Sequence, residues 1–205
     1  GRPGGVVVTL EDPLARARAV QRRRALDALE PLARSGSVEE VARALVEAAV
    51  PGLADMALVR VIERDGAVSA RSQREADAGP ALHALEALLP TPAPDSKAAE
   101  HAESAATPRS LRLERPVLID GPSADDAAAA TGLEQVGQLV RDLDVRTLAV
   151  VPVRLRGGVA LLALASTGAR HLDDDDLHAA EAMARRAAPV LDRLWLERRL
   201  RRTVH

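Results

Sequence analysis

Apolar residues recur with helical spacing along much of the chain. In four segments they return every three or four positions with charged residues between them, a pattern typical of amphipathic helices. These segments are residues 11–35, 37–50, 123–143 and 173–203. Ser37 and Glu40 have the Ser-x-x-Glu spacing of a capping box, which predicts the start of the second helix. Pro189 is expected to kink the last helix, because it has no N–H to donate.

Shorter runs rich in β-branched residues predict strands between the helices. They are residues 1–10, 56–64, 67–73, 115–120, 147–155 and 159–166. Asp65-Gly66 and Gly157-Gly158 are turn-forming pairs, so each predicts a hairpin between its flanking strands. Residues 81–89 predict a short helix, whereas residues 90–110, rich in Pro, Ala and Ser, predict a mobile loop.

Alternation along residues 56–64 predicts which face of the sheet each side chain occupies. Ala57, Val59 and Val61 fall on one side, and this uniformly apolar set suits a face covered by helices. Leu58 and Arg60 fall on the opposite side. An arginine there could clamp a carboxylate or phosphate, or it could extend its charge to solvent at the sheet edge.

Four consecutive aspartates, Asp173–Asp176, begin the last predicted helix. Carboxylates at a helix start accept hydrogen bonds from free backbone N–H groups and favour the positive end of the helix dipole. A Mg²⁺ or Ca²⁺ site is the alternative, but consecutive helical side chains point about 100° apart. The pattern therefore favours capping over a metal site.

Composition excludes several kinds of site. The 205 residues are 47% hydrophobic and 28% charged with a formal net charge of −2, as in a soluble globular domain. There is no Cys, Phe or Tyr, and Trp195 is the single aromatic residue apart from histidine, a bias typical of a GC-rich genome. Disulfides, thiolate metal sites, thioether-linked chromophores and aromatic stacking platforms are therefore excluded. Apolar runs are too short to span a membrane, so a cytoplasmic location is expected.

Three stretches resemble a GAF domain in their order and spacing. They are residues 38–66 (VEEVARALVEAAVPGLADMALVRVIERDG), 143–166 (LDVRTLAVVPVRLRGGVALLALAS) and 171–194 (HLDDDDLHAAEAMARRAAPVLDRL). The resemblance implies an α+β fold: a central antiparallel sheet with the N- and C-terminal helices on one face and a ligand pocket on the other. It covers roughly residues 25–200.

The resemblance also implies a division of the chain. Residues 1–12 resemble the last strand of a PAS domain, residues 13–36 form a signalling helix, 37–195 the GAF domain, and 196–205 the start of a C-terminal signalling helix. A multidomain bacterial signalling protein is implied, with an output domain, a serine phosphatase or histidine kinase, beyond this chain.

The expected function is a non-catalytic sensory domain that relays a pocket state through its terminal helices. A homodimer through those helices is expected, with no membrane partner. The residues expected in the helix seam are Leu29, Leu32, Leu191, Leu194 and Trp195. The residues expected to bind ligand are Leu58, Arg60, His83, Leu148, Val150, Ala163, Ala165 and Thr167.

The identity of the ligand stays open at this point. A covalent bilin is not expected without Cys, haem is disfavoured, and no metal site or catalytic constellation is predicted, so an aliphatic or anionic ligand is favoured. A ligand-free dimerisation spacer is the alternative. Nucleic-acid binding by the arginine-rich terminal helices is disfavoured, because Glu and Asp are interleaved there.

Overall fold

The computed structural model describes residues 13–63, 68–74, 115–131, 134–156, 158–168 and 170–203. The helices are α1 (Pro13–Asp27), α2 (Val38–Ala49), α3 (Ala124–Thr131), α4 (Glu134–Asp142) and α5 (Asp174–Thr203), with a 3₁₀ helix at Glu30–Arg34. The strands are β1 (Met56–Glu63), β2 (Val68–Arg74), β3 (Val117–Asp120), β4 (Val145–Leu155) and β5 (Gly158–Thr167). The expected α+β class is confirmed.

The five strands form one antiparallel sheet in the order β2-β1-β5-β4-β3. The β4–β5 and β1–β2 pairs join strands adjacent in the chain, and β1 lies beside β5. Long-range pairing of β1 with β5 therefore brings the two halves of the described chain together.

Both faces of the sheet are buried. On the first face α2 and α5 cover Ala57, Val59 and Val61, so the predicted alternation of β1 is confirmed on this side. On the second face, residues of α3 and α4 cluster with Leu58 and Leu161. We call these the helix face and the cavity face.

The structure corrects the predicted helix at residues 11–35. It breaks after Asp27 and resumes as the 3₁₀ helix, which has a proline, Pro31, in its first turn. Proline donates no backbone hydrogen bond and disfavours α-helical geometry in the residue before it. A continuous helix through this point is therefore not formed, although the apolar spacing continues to Leu32.

The predicted helix at residues 123–143 is likewise two helices, α3 and α4. They cross closely: a β-carbon built on Gly137 would lie 2.5 Å from the backbone oxygen of Ala124. Since real side chains avoid such contacts, glycine at this position allows the crossing. Apolar periodicity alone did not reveal the break.

Several local predictions are confirmed. The Ser37 hydroxyl accepts a hydrogen bond from the Glu40 N–H at 3.1 Å, and Glu40 accepts one from the Gly36 N–H at 2.7 Å. The last helix ends at Thr203, as its apolar spacing predicted, whereas the kink at Pro189 stays a prediction. Predictions for residues 1–10, 65–66, 81–89 and 90–110 lie outside the described residues.

Within the described ranges, none of the helices combines the length and apolar content that crossing a membrane requires.

Gly137→Ala is expected to destabilise the domain, because the new methyl group would overlap the Ala124 carbonyl. We expect the free energy of unfolding in urea to fall by about 1–3 kcal/mol. Gly36→Ala is the matched control, since its β-carbon would meet only the Glu40 carboxylate, at an ordinary 3.8 Å. Equal stability of the two variants would contradict the crossing geometry.

Candidate functional site

A small cavity opens on the cavity face, between α4 and the sheet. It encloses about 40 Å³, room for a small group of atoms rather than a large ring system. Its described lining consists of aliphatic residues and one methionine. These residues are Met56, Ala57, Leu58, Val136, Leu139, Val140, Val145, Leu148, Ala163 and Ala165. The cavity therefore suits an apolar group held by shape and burial.

Four of the predicted ligand-binding residues line this cavity: Leu58, Leu148, Ala163 and Ala165. Val150 is fully buried in the same apolar cluster but does not line the cavity. The strand register explains the grouping, because Leu58 lies opposite Ala163 and Leu148 lies opposite Ala165. Their role in ligand binding stays a prediction.

Arg60 lies on the same face of β1, directly opposite Leu161 of β5. Only 8% of the residue is exposed, and burial lowers the pKa of its guanidinium from the ordinary arginine value. It lies beyond the cavity rather than in its lining. His83 lies outside the described residues.

Thr167 is held at the end of β5 by Asp55 and does not line the cavity. The Asp55 carboxylate accepts hydrogen bonds from the Thr167 N–H at 2.7 Å and from its hydroxyl at 3.4 Å. A register shift between Val145 and Thr147 lies opposite this strand end. Thr167 nevertheless lies opposite Val145, a residue of the cavity lining, so it falls at the strand end just beyond the described lining.

Sequence reasoning missed the wall that α4 contributes. Val136, Leu139 and Val140 line the cavity from this helix, and Met56 and Val145 line it from the strands. The three α4 residues have the spacing of one helical face, which was a usable signal. Treating residues 123–143 as one helix left that face unassigned.

Two buried hydroxyls connect the cavity strands to the segment that leads into α5. Thr147 and Ser166 form the strand pair next to Leu148 and Ala165, and their hydroxyls hydrogen-bond to each other. The Thr147 hydroxyl also accepts the Leu172 N–H at 2.9 Å, and the Ser166 hydroxyl donates to the Arg170 carbonyl at 2.9 Å. The start of α5 is therefore tied to the sheet beside the cavity.

The aspartate run caps α5, as the sequence predicted. Asp173 accepts a hydrogen bond from the Asp176 N–H at 2.9 Å, and Asp176 accepts one from the Asp173 N–H at 3.2 Å. Among the described residues, no cluster of three or more His, Asp or Glu side chains is arranged to hold a metal ion.

Arg22 of α1 binds the same aspartates, a contact that the sequence did not reveal. Its guanidinium donates to Asp176 at 2.7 Å, to Asp175 at 2.9 Å, and to both carboxylate oxygens of Asp173 at 2.7 and 2.8 Å. We call Arg22, Asp173, Asp175 and Asp176 the arginine clasp. The side chain of Arg22 is 14% exposed and that of Asp176 only 3%.

The clasp shifts the pKa values of Asp173 and Arg22. Partial burial acts to raise the pKa of Asp173, but the Asp176 N–H bond and the charges of Arg22 and Arg18 outweigh it, so the pKa lies below its usual value. Burial acts to lower the pKa of Arg22, yet the bond to Asp176 and the three carboxylate charges raise it. The ionised forms are therefore favoured.

The sequence model of the GAF domain matches residues 35–192, well over half of the chain. The chain belongs to the GAF domain family. No curated protein sequence matches it. The matched region begins before α2 and ends within α5, so it includes the sheet, the cavity and the aspartate run.

Solved GAF structures share the fold at low sequence identity. The phycocyanobilin-bound GAF domain from a cyanobacterial phytochrome is 15% identical, covering 93% of this chain and 98% of that chain, with a TM-score of 0.52. The GAF domain/HD domain protein from Geobacter sulfurreducens is 16% identical over 83% and 98%, with a TM-score of 0.50. The chromophore-binding domain of Stigmatella aurantiaca bacteriophytochrome is 15% identical over 88% and 62%, with a TM-score of 0.51.

The residues predicted for a seam between terminal helices lie mostly in the apolar core of the helix face. Four of them are at most 6% exposed and belong to the core of the helix face: Leu29, Leu32, Leu191 and Leu194. Trp195 is half-buried, with the Arg199 guanidinium 5.4 Å from its ring centroid. A second copy would therefore have to contact other, exposed residues.

Acid is expected to weaken the clasp. Because the pKa of Asp173 is lowered in the folded protein, its stabilising contribution is complete above the unfolded value of about 3.9 and is lost as pH falls through the folded value. We expect Asp173→Asn to reduce the loss of stability between pH 5 and pH 2 in urea titrations, and the exposed Asp174→Asn to leave it nearly unchanged. Parallel pH curves for wild type and Asp173→Asn would contradict this linkage.

Proposed function

We propose that this GAF domain is a non-catalytic sensory domain that binds a small molecule with an aliphatic part in the cavity. The wholly apolar lining between α4 and the sheet is the observation that carries the proposal. Burial of a few carbon atoms there supplies the hydrophobic contribution to affinity. Among the described residues, the lining offers no aromatic ring against which a flat chromophore could stack.

The position of Arg60 favours a ligand with an anionic head group. It is a buried cation on the cavity face, and a guanidinium binds a carboxylate through two parallel hydrogen bonds. The ligand class we propose is therefore a short aliphatic carboxylate. The phycocyanobilin-bound neighbour holds a chromophore, but this chain has no cysteine, so we do not propose a thioether-linked bilin. Nor do we propose haem, because the cavity is small for a large ring system.

Ala163→Leu is the direct test of the cavity. We expect hexanoate at about 100 times its Kd to stabilise the wild type by about 2.7 kcal/mol, a melting-temperature rise of several degrees. In Ala163→Leu the added carbons occupy the cavity, so the rise is lost. Ala129→Leu, exposed on α3, is the matched control and keeps it.

Two results would count against the ligand proposal. An Ala163→Leu variant that responds to hexanoate like the wild type would place binding elsewhere. A wild type that responds neither to hexanoate nor to hexanol or hexylamine would favour the second candidate function, a ligand-free dimerisation spacer. The small volume of the cavity is the observation that favours that candidate.

We further propose that the domain forms a homodimer through α5 and relays its state to an output domain on the same polypeptide. Leu196 and Leu200 are 49% and 58% exposed and lie one helical turn apart. Pro189 and Arg193 continue this exposed stripe at spacings of three and four residues. Such a stripe matches the seam of a two-helix pair.

Leu196→Glu combined with Leu200→Glu is expected to convert the dimer into monomers, because four like charges would meet in one seam. Sedimentation velocity at micromolar concentration measures the change. Val20→Glu, at an exposed apolar position on α1, is the control and leaves the dimer intact. A dimer that survives the double substitution would contradict an α5 seam.

A further inference from the structure

Apolar packing contributes little to holding α1. Ala25 is the one buried residue of this 15-residue helix, and residues 13–21 are exposed except for a half-buried Arg18. Ala25 buries one methyl group and Leu26 packs half-buried against the same core, which together provide a limited hydrophobic gain. The contacts that fix α1 on the domain must therefore be largely polar.

The arginine clasp supplies most of those polar contacts. Arg22 makes four hydrogen bonds to three carboxylates, and Arg18 adds a longer contact of 3.4 Å to Asp173. Farther along, Arg186 of α5 donates to the Leu26 carbonyl. Charge-assisted bonds of this kind are strong only while donor and acceptors keep their geometry.

The acceptors of the clasp are positioned by the cavity strands. Asp173 directly follows Leu172, whose N–H is bound by the Thr147 hydroxyl. Thr147 and Ser166 in turn neighbour Leu148 and Ala165, which line the cavity from the other face of the sheet. A displacement of this strand pair would move the start of α5, and with it the three carboxylates.

We propose that the arginine clasp is a latch that docks α1 on α5 in one state and releases it in another, and that the Thr147–Ser166 pair couples the latch to the cavity. α1 is the two-state element, since it has one strong polar anchor and little apolar contact. The proposal of a latch does not depend on any ligand. Only the control of the latch by a ligand rests on the proposed function.

Hydrogen exchange of the full 205-residue chain tests the latch. We expect Arg22→Gln to speed amide exchange in residues 17–26 by at least about tenfold, while α2 keeps its protection. Arg23→Gln is the matched control, because the Arg23 side chain is 85% exposed and lies 3.9 Å from Asp27. Unchanged exchange in α1, or an equal increase in α2, would overturn the proposal.

Two substitutions at exposed positions test the latch with less risk of unfolding the domain than Arg22→Gln. Asp175 is 76% exposed and binds Arg22, so Asp175→Asn should speed α1 exchange severalfold without disturbing the core. Asp174→Asn, at the preceding exposed position, should not. Equal effects of the two substitutions would show that the charge of the run matters rather than the clasp, and would overturn the latch.

Thr147→Val tests the coupling, because it removes the hydroxyl but keeps the shape of the side chain. We expect faster exchange in α1, and we expect Thr147→Val combined with Arg22→Gln to be no faster than Arg22→Gln alone. If the two substitutions instead multiply each other's effect on the exchange rate of α1, the coupling would be overturned. Neither measurement needs hexanoate, so failure of hexanoate to bind would reject the proposed ligand and leave the latch result unaffected.

Discussion

The whole domain depends on one antiparallel sheet whose two faces are both covered, and on small aliphatic side chains doing the covering. Ala, Val and Leu supply most of the buried residues that the structure describes, while the single tryptophan lies in the second half of α5. Small side chains let elements approach closely, as α3 and α4 do at Gly137. They also leave a small cavity with an apolar described lining, which decides the kind of ligand that we propose.

Two different physical interactions hold α1 and the segment that follows it against α5 and the core. Within α1, Arg22 depends on the charges of the arginine clasp; after Asp27, Leu29 and Leu32 enter the apolar core. Arg193 of α5 also donates to the Ser35 carbonyl at 2.7 Å, beyond the 3₁₀ helix. The two helices therefore run side by side in the same direction, with the polar contacts near the start of α5 and the apolar contacts farther along.

Local features of this structure were predictable from the sequence, and features made by distant residues were not. The Ser37 cap and the alternation of Ala57 and Val59 depend on neighbours in the chain, so spacing alone revealed them. The contact of Arg22 with Asp173 joins residues 151 positions apart, and an arginine on an amphipathic helix gives no sign of its partner. Part of the cavity lining was predictable, because the strand register identified Leu148 and Ala163. The α4 residues of the lining were not, because the predicted helix at residues 123–143 is in fact two helices.

We propose that the state of the cavity and the docking of α1 on α5 are linked. A measured distance between α1 and α5 tests this link most directly. The chain has no cysteine, so spin labels at Arg16→Cys and His178→Cys, both exposed positions, would be the only labels present. We expect saturating hexanoate to change the distance distribution between docked and released populations, and Thr147→Val to abolish the response. An identical distribution with hexanoate demonstrably bound would show that the cavity and the docking of α1 are not linked.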